Sequence, residues 1–358
     1  MESEVETEVK PKTALQVNYR KSIVKKLLFI TFCLVVVIIV AGYSATIGSY
    51  YISVEDVYGI IWHRITGMGS VDPTAYYIVT ELRLPRIAGA IVCGFGLAVC
   101  GAAMQSMMKN PLADPYTMGI SSGAGLGAAL AIILGFELWA GAGIVVNAFI
   151  FAIIPAMVIL VMSQVRRATP TMMILCGISL MYVFGAITSL LMLIATPDDL
   201  SAVYTWSVGT MSKVSWDNLP IMVAVVTAGS LYLQYLANQL NIMSIGDESA
   251  KCLGVNVERK RLVCLMVITL VAASIVSFTG IIGFVGLVCP HIVRMAIGSD
   301  NKFLIPGSAI FGSTMLIVAD MIARTIVAPT ILPVGVITAC IGGPLFMYLI
   351  LKSKKEVW

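Results

Sequence analysis

Charge is scarce in this chain. Only 12% of its 358 residues are Asp, Glu, Lys or Arg, against 59% hydrophobic residues. With a mean hydropathy of +0.95, that composition excludes a water-soluble domain and points to a polytopic membrane protein with apolar spans of roughly 20 residues each. Histidine is scarcer still: His63 and His291 are the only two, and they fall on opposite sides of the topology derived below, which excludes a haem or metal site built from the pair. The eight cysteines lie mostly in apolar runs and show no paired spacing, which argues against a disulfide framework or a zinc site. The chain lacks G-x-x-x-x-G-K-S/T, H-E-x-x-H and G-x-S-x-G. P-loop nucleotide binding, zincin chemistry and a serine-hydrolase elbow are therefore not expected of it. No cleavable signal is expected either, because the first 26 residues are polar and of mixed charge and the apolar run behind them has no small-residue cleavage site.

What remains is ten apolar runs, near 27–47, 87–108, 116–134, 144–163, 171–195, 220–240, 262–280, 282–296, 304–327 and 332–351. The expected fold is all-α, a polytopic membrane protein with about ten transmembrane helices. Residues 1–26 read as a cytoplasmic tail, 27–351 as one transmembrane domain and 352–358 as a second cytoplasmic tail. Charge placement tests this parse. With the N-terminus inside, alternation puts 18 Lys and Arg on the cytoplasmic side and leaves five outside, namely Arg64, Arg83, Arg86, Lys213 and Arg324, a strong positive-inside bias. Trp62, Tyr76 and Tyr77 suit the outer interface. Ala90, Gly94, Ala98 and Ala102 recur every fourth residue, as do Gly119, Gly123 and Gly127, a period that lets membrane helices approach closely. Pro290 makes the short eighth run a candidate broken helix, and His291 beside it reads as a hydrogen-bonding residue at a helix end.

The most useful absence is inside the membrane. Runs one to seven and ten contain no Asp, Glu, Lys or Arg. Gradient-driven transporters commonly carry such residues because they bind the coupling ion. If this chain pumps, its energy is expected from a partner. The long polar interruption is 241–261, NIMSIGDESAKCLGVNVERKR. Its centre reads as a two-turn helix, Asp247, Glu248, Ser249, Ala250, Lys251, Cys252 and Leu253, closed by Gly254. Its acids come first and its lysine last, as a helix dipole favours. Asp247 or the residue before it would cap the start, and Gly254 suits the left-handed C′ position. The segment is either a solvated loop or a rigid peg for another protein. Outside, Arg83 and Arg86 in LRLPR, with Arg324, either anchor to headgroups or receive carboxylates of an external protein. In the fifth run, Met172, Met173 and Gly177 could line a path for a bulky ligand.

Five stretches carry a resemblance: LRLPR (82–86), GAAMQSMMKNPLADPYTMGISSGAGLGA (101–128), LGV (253–255), GIIGFVGLVCPHIVR (280–294) and LPVGVITACIGGPLFMYLI (332–350). Together they resemble, in order and over nearly the whole chain after residue 80, the permease subunits of binding-protein-dependent ABC importers for iron–siderophore complexes, haem and vitamin B12. The resemblance implies a type II importer permease working as a homodimer in a prokaryotic plasma membrane, both termini cytoplasmic. It implies two cytoplasmic ATPase subunits, an extracytoplasmic binding protein and no nucleic acid as partner. This chain itself would bind no cofactor, ATP and magnesium belonging to the ATPase subunits. It assigns 247–254 to ATPase coupling, Arg83, Arg86 and Arg324 to binding-protein docking, and Thr169, Pro170, Thr171, Met172, Met173 and Gly177 to the path and inner gate. Family members often carry Glu where this chain has Ile331, and Ser where it has Thr210. A stand-alone gradient-driven transporter or channel is the alternative; an intramembrane enzyme lacks any nucleophile–base or metal constellation.

Overall fold

The computed structural model describes residues 14–48, 50–139, 141–165 and 169–352. The rest of the expected tails, and Arg166 and Arg167 before the fifth run, lie outside the described residues. Among the described residues all regular structure is helical. In chain order the helices are α1 Ala14–Thr46, α2 Val54–Thr66, α3 Pro73–Tyr77, α4 Leu84–Met108, α5 Ile120–Leu134, α6 Gly143–Val165, α7 Pro170–Leu193, α8 Pro197–Ser207, α9 Leu219–Tyr235, α10 Ala237–Ile245, α11 Asp247–Cys252, α12 Val257–Thr279, α13 Val285–Ile297, α14 Asn301–Thr325 and α15 Val334–Lys352. Six described spans are long and apolar enough to cross a bilayer, the bent pair α9–α10 makes a seventh, and α5, α13 and α15 are shorter apolar helices. These ten units are the ten runs of the sequence. The described part of the N-terminal tail, from Ala14 on, is helical and continuous with the first span.

α4 is the axis of the bundle, buried along nearly its whole length. It packs against α14, α13, α12 and α9. The four-residue spacing of small side chains explains how. A Cβ at Gly94 would collide with the carbonyl of Gly312 on α14, and one at Gly101 with the carbonyl of Gly286 on α13. Gly123 and Gly127 do the same for α5 against the backbone of Phe151 and Asn147 on α6. With backbone on both sides neither helix can yield without moving as a unit. Gly101→Ala should therefore cost about 1–3 kcal/mol as an overpacked contact, read as a lower melting temperature of the purified protein. α1 lies at the periphery, with Leu28, Phe32, Val35, Ile38 and Ile39 exposed as a lipid-facing stripe. On the outer side α2 also carries an exposed apolar stripe of Val54, Tyr58, Trp62 and Ile65, an arrangement suited to the membrane–water interface.

Local sequence explains the irregularities. Pro85 has no N–H to return to the preceding turn, and residues 78–83 widen into a π-helical turn in which the Leu84 N–H reaches Val79. Helix α5 starts later than its apolar run because Asp114 and Thr117 cap a 3₁₀ turn over Pro115–Met118, and Gly119 then turns left-handed at φ 84°. The eighth run is broken ahead of Pro290, not at it. Helix α13 continues through Pro290, while just before it Gly280 has positive φ (72°) and Phe284 (φ 68°) takes the left-handed conformation. The sixth run bends by 53° between α9 and α10 with neither Pro nor Gly at Leu236; we have no local account of that bend. Asn241 holds its far side, accepting from the Asn301 backbone N–H at 2.8 Å and donating to Asp300 at 2.8 Å.

Candidate functional site

The long polar interruption folds as a short helix closed at its C-terminal end. At its C-terminus the Gly254 N–H donates to Lys251 O at 2.9 Å and the Val255 N–H to Ala250 O at 3.0 Å. With Gly254 at φ 82° this is a Schellman motif, as the glycine spacing predicts. At the N-terminus Gly246, the residue before Asp247, occupies the cap position, and no side chain caps it. Asp247 is engaged elsewhere. Its Oδ1 accepts from Lys109 Nζ at 2.7 Å, and both of its oxygens accept from Arg261 Nη2 at 3.0 Å. Burial opposes its ionisation, but the hydrogen bonds and charges of Lys109 and Arg261 outweigh burial and hold its carboxyl below the ordinary range. A depressed carboxylate pKa contributes stability that is present above the unfolded value, about 3.9, and is lost as pH falls through the folded value. Amide protection of α11, corrected for intrinsic exchange, should therefore hold steady from neutral pH to about 5 and decline only below about 4.

Ala250 faces the bundle and is fully buried, whereas Glu248, Ser249, Lys251, Cys252 and Leu253 are exposed. Leu253, at the C-cap of α11, is 65% exposed, and Ile245, the last residue of α10, 72%. The Lys251–Glu258 pair at 3.5 Å is open to water and contributes little. α11 thus presents Leu253 with a polar rim on a helix whose back is fixed, and Ile245 of α10 is exposed just ahead of it.

The expected path residues divide into two groups. Thr169 caps α7, accepting from the Met172 N–H at 3.2 Å, and Pro170 occupies its first turn. Thr169, Thr171 and Met172 line an open groove of about 860 Å³ between α6 and α7, with Met162, Leu175 and Ser179. Met173 and Gly177 are turned away from it and buried. A Cβ at Gly177 would lie 2.7 Å from Met118 Cα and 2.9 Å from Thr117 O, so this glycine seats α7 on the 3₁₀ turn. His291 is buried with its ring 5.8 Å from that of Phe346. Among the described residues neither of its ring nitrogens has a hydrogen-bond partner, contrary to a helix-end hydrogen-bonding role.

The outer arginines of the sequence reading have partners within the fold. Arg83, Arg86 and Arg324 are only 5%, 6% and 4% exposed. Arg83 donates to the carbonyls of Ala45 at 2.8 Å and Tyr50 at 2.6 Å. Arg86 forks onto Asp320, Nε to Oδ1 at 2.8 Å and to Oδ2 at 3.1 Å, and donates to Ser212 at 2.9 Å. Arg324 pairs with the same carboxylate at 3.0 Å and donates to Ile47 O at 2.8 Å and to Ser44. The three cations therefore stitch α1, the π-helical turn, α4 and α14 together at one end of the bundle, and each is engaged with partners of its own fold. The exposed basic group beside them is Lys213, next to Ser212.

An all-helical bundle of ten apolar units, with a fixed amphipathic peg on one face and a buried cation cluster on the other, is the architecture of a membrane permease. The chain belongs to the FecCD transport family, whose pattern matches residues 33–352. It is an integral protein of the plasma membrane and a permease component of ABC importers. It is 41% identical to an ABC transporter permease protein of Methanocaldococcus jannaschii over 95% of this chain and 99% of the relative. It is 35% identical to the hemin transport system permease HmuU of Yersinia pestis over 92% of this chain and 97% of the relative. A solved metal-chelate type ABC transporter in an inward-facing conformation superposes with a TM-score of 0.80 at 30% identity, covering 90% of this chain and 98% of that one.

Proposed function

We propose that this chain, paired with a second copy, is the membrane pathway of an ATP-driven importer for a bulky metal chelate. An iron–siderophore complex comes first, ahead of cobalamin or haem. The observation that carries the reading is α11. A six-residue helix closed by a Schellman turn and clamped by ions on its inner side presents Leu253 to solvent, which suits a groove in a cytoplasmic ATPase. The charge-free spans leave few sites for a coupling ion, and the hemin and metal-chelate names of two relatives favour a chelate as cargo. The apolar face of α7, with Leu175, Tyr182 and Leu190 exposed, suits the second copy and the pathway between them. Both termini lie on the cytoplasmic side with α11. A binding protein approaches the opposite face. Docking directly onto Arg83, Arg86 or Arg324 would require them to leave the partners described above.

The test is uptake into proteoliposomes of a ferric hydroxamate, haemin and cobalamin, each with its cognate binding protein. Uptake that needs the permease, the ATPase chain, the binding protein and ATP together is the expected result. Uptake by the permease alone, driven by an ion gradient, would falsify the reading in favour of a secondary transporter.

A further inference from the structure

We propose that Lys109, Asp247 and Arg261 are positioning residues that transmit movement of α11 to α7, with residues 110–119 as the strut between them. This rests on α11 being the ATPase contact. The first joint is the ion pair itself. Lys109 and Asp247 lie 138 positions apart in sequence and meet at 2.7 Å. Arg261, 1% exposed, closes on the other side of the same carboxylate from the first turns of α12. Asp247 is spent on this contact and does not cap its own helix.

Lys109 ends α4 in the left-handed conformation, φ 51° and ψ 40°. Among the described residues only Phe284 shares positive φ with it outside glycine. A lysine there costs roughly 1–2 kcal/mol relative to an ordinary helical residue. The backbone turn that places its ammonium over Asp247 is thus maintained against a local preference.

From Lys109 onward the chain is braced at each step. The Asn110 N–H donates to Gln105 O at 3.2 Å, the Leu112 N–H to Asn110 Oδ1 at 2.9 Å and the Ala113 N–H to Asn110 O at 3.1 Å. Asp114 then accepts from the Tyr116 N–H at 2.8 Å, and the Thr117 hydroxyl donates back to Asp114 O at 2.7 Å. Asp114 also fills the space over Gly286 of α13. The strut ends on α7, where Thr117 and Met118 meet Gly177 without room for a methyl group, and Gly119 rests on Gly177 O and Pro155. A displacement of α11 therefore reaches the N-terminal half of α7, which lines the groove, through one ion triad and a braced turn, with the Lys109 side chain, pinned at 2.7 Å on Asp247, as the one long side chain in the linkage.

The test uses the full importer in proteoliposomes, with whichever of ferric hydroxamate, haemin and cobalamin the wild type takes up. Uptake per ATP hydrolysed is compared for Lys109→Met, Asp247→Asn, the double variant and Lys109→Arg. Each single loss should lower the ratio about tenfold, the scale of site-to-site coupling. The double variant should be no worse than the poorer single, and Lys109→Arg should stay close to wild type. Unchanged singles, or effects that multiply in the double, overturn the proposal. Absence of ATP-dependent uptake by the wild type would instead count against the importer reading itself. Because the Asn variant leaves a buried guanidinium short of charge, a second measurement uses the native triad. With Cys176 and Cys340 replaced by Ser, spin labels on the exposed Cys252 and on Leu112→Cys should keep a constant separation through the nucleotide cycle. A separation that changes between nucleotide states overturns the linkage.

Discussion

Asp320→Ala should destabilise the permease by about 3–5 kcal/mol, the range for removing one partner of a buried charge pair. Asp320 is 1% exposed and accepts from both Arg86 and Arg324. Without it two guanidinium groups remain buried with serine hydroxyls and carbonyls but no counter-charge. The loss is read by thermal unfolding of the purified protein. Removing one cation as well, in Asp320→Ala with Arg86→Met, should recover part of it, because the penalty comes from the stranded charge and not from a missing attraction. A melting temperature unchanged by Asp320→Ala would mean that the cluster is hydrated and that the arginines are freer than their burial implies.

The second large effect is functional. Leu253→Arg, or Glu248→Arg, should lower ATP-dependent uptake by roughly tenfold or more while leaving the stability read by thermal unfolding within about 0.5 kcal/mol of wild type, as for surface substitutions. Both side chains are exposed and neither shares in the Asp247 clamp. The combination of intact fold and lost uptake separates a contact surface from a structural element. Unchanged uptake would return the segment to the status of a solvated loop.

These two expectations show what was legible in the residues and what was not. The peg was legible because its determinants are local. Gly254 ends the helix, the acids lead and the lysine trails, and polar residues interrupt an apolar chain. The close helix contacts were legible for the same reason, since a small residue every fourth position defines a face within one helix. The partners of Arg83, Arg86 and Arg324 within the fold were not legible because they are remote. Asp320 lies 234 positions from Arg86, and Ser44 lies 280 from Arg324. An arginine that terminates an apolar run has the same local sequence whether it meets headgroups, a second protein or a carboxylate of its own fold. The Lys109–Asp247–Arg261 triad was invisible for that reason too, and Asp247 read as one of two cap candidates because caps are local and ion triads are not. Helix α8 did carry a signal, the Thr196 and Asp199 capping box behind Pro197, within what otherwise reads as an outer loop.

If energy enters this permease at α11, Cys252 offers a direct way to see what touches it. This thiol is exposed on the presented side of the helix, next to Leu253. A benzophenone attached there, in a variant with Cys176 and Cys340 replaced by Ser, should on illumination give a covalent adduct with the ATPase chain whose yield changes between nucleotide-free and ATP-bound states. Adducts confined to lipid or to a second copy of the permease, with the ATPase chain present and active, would contradict the account.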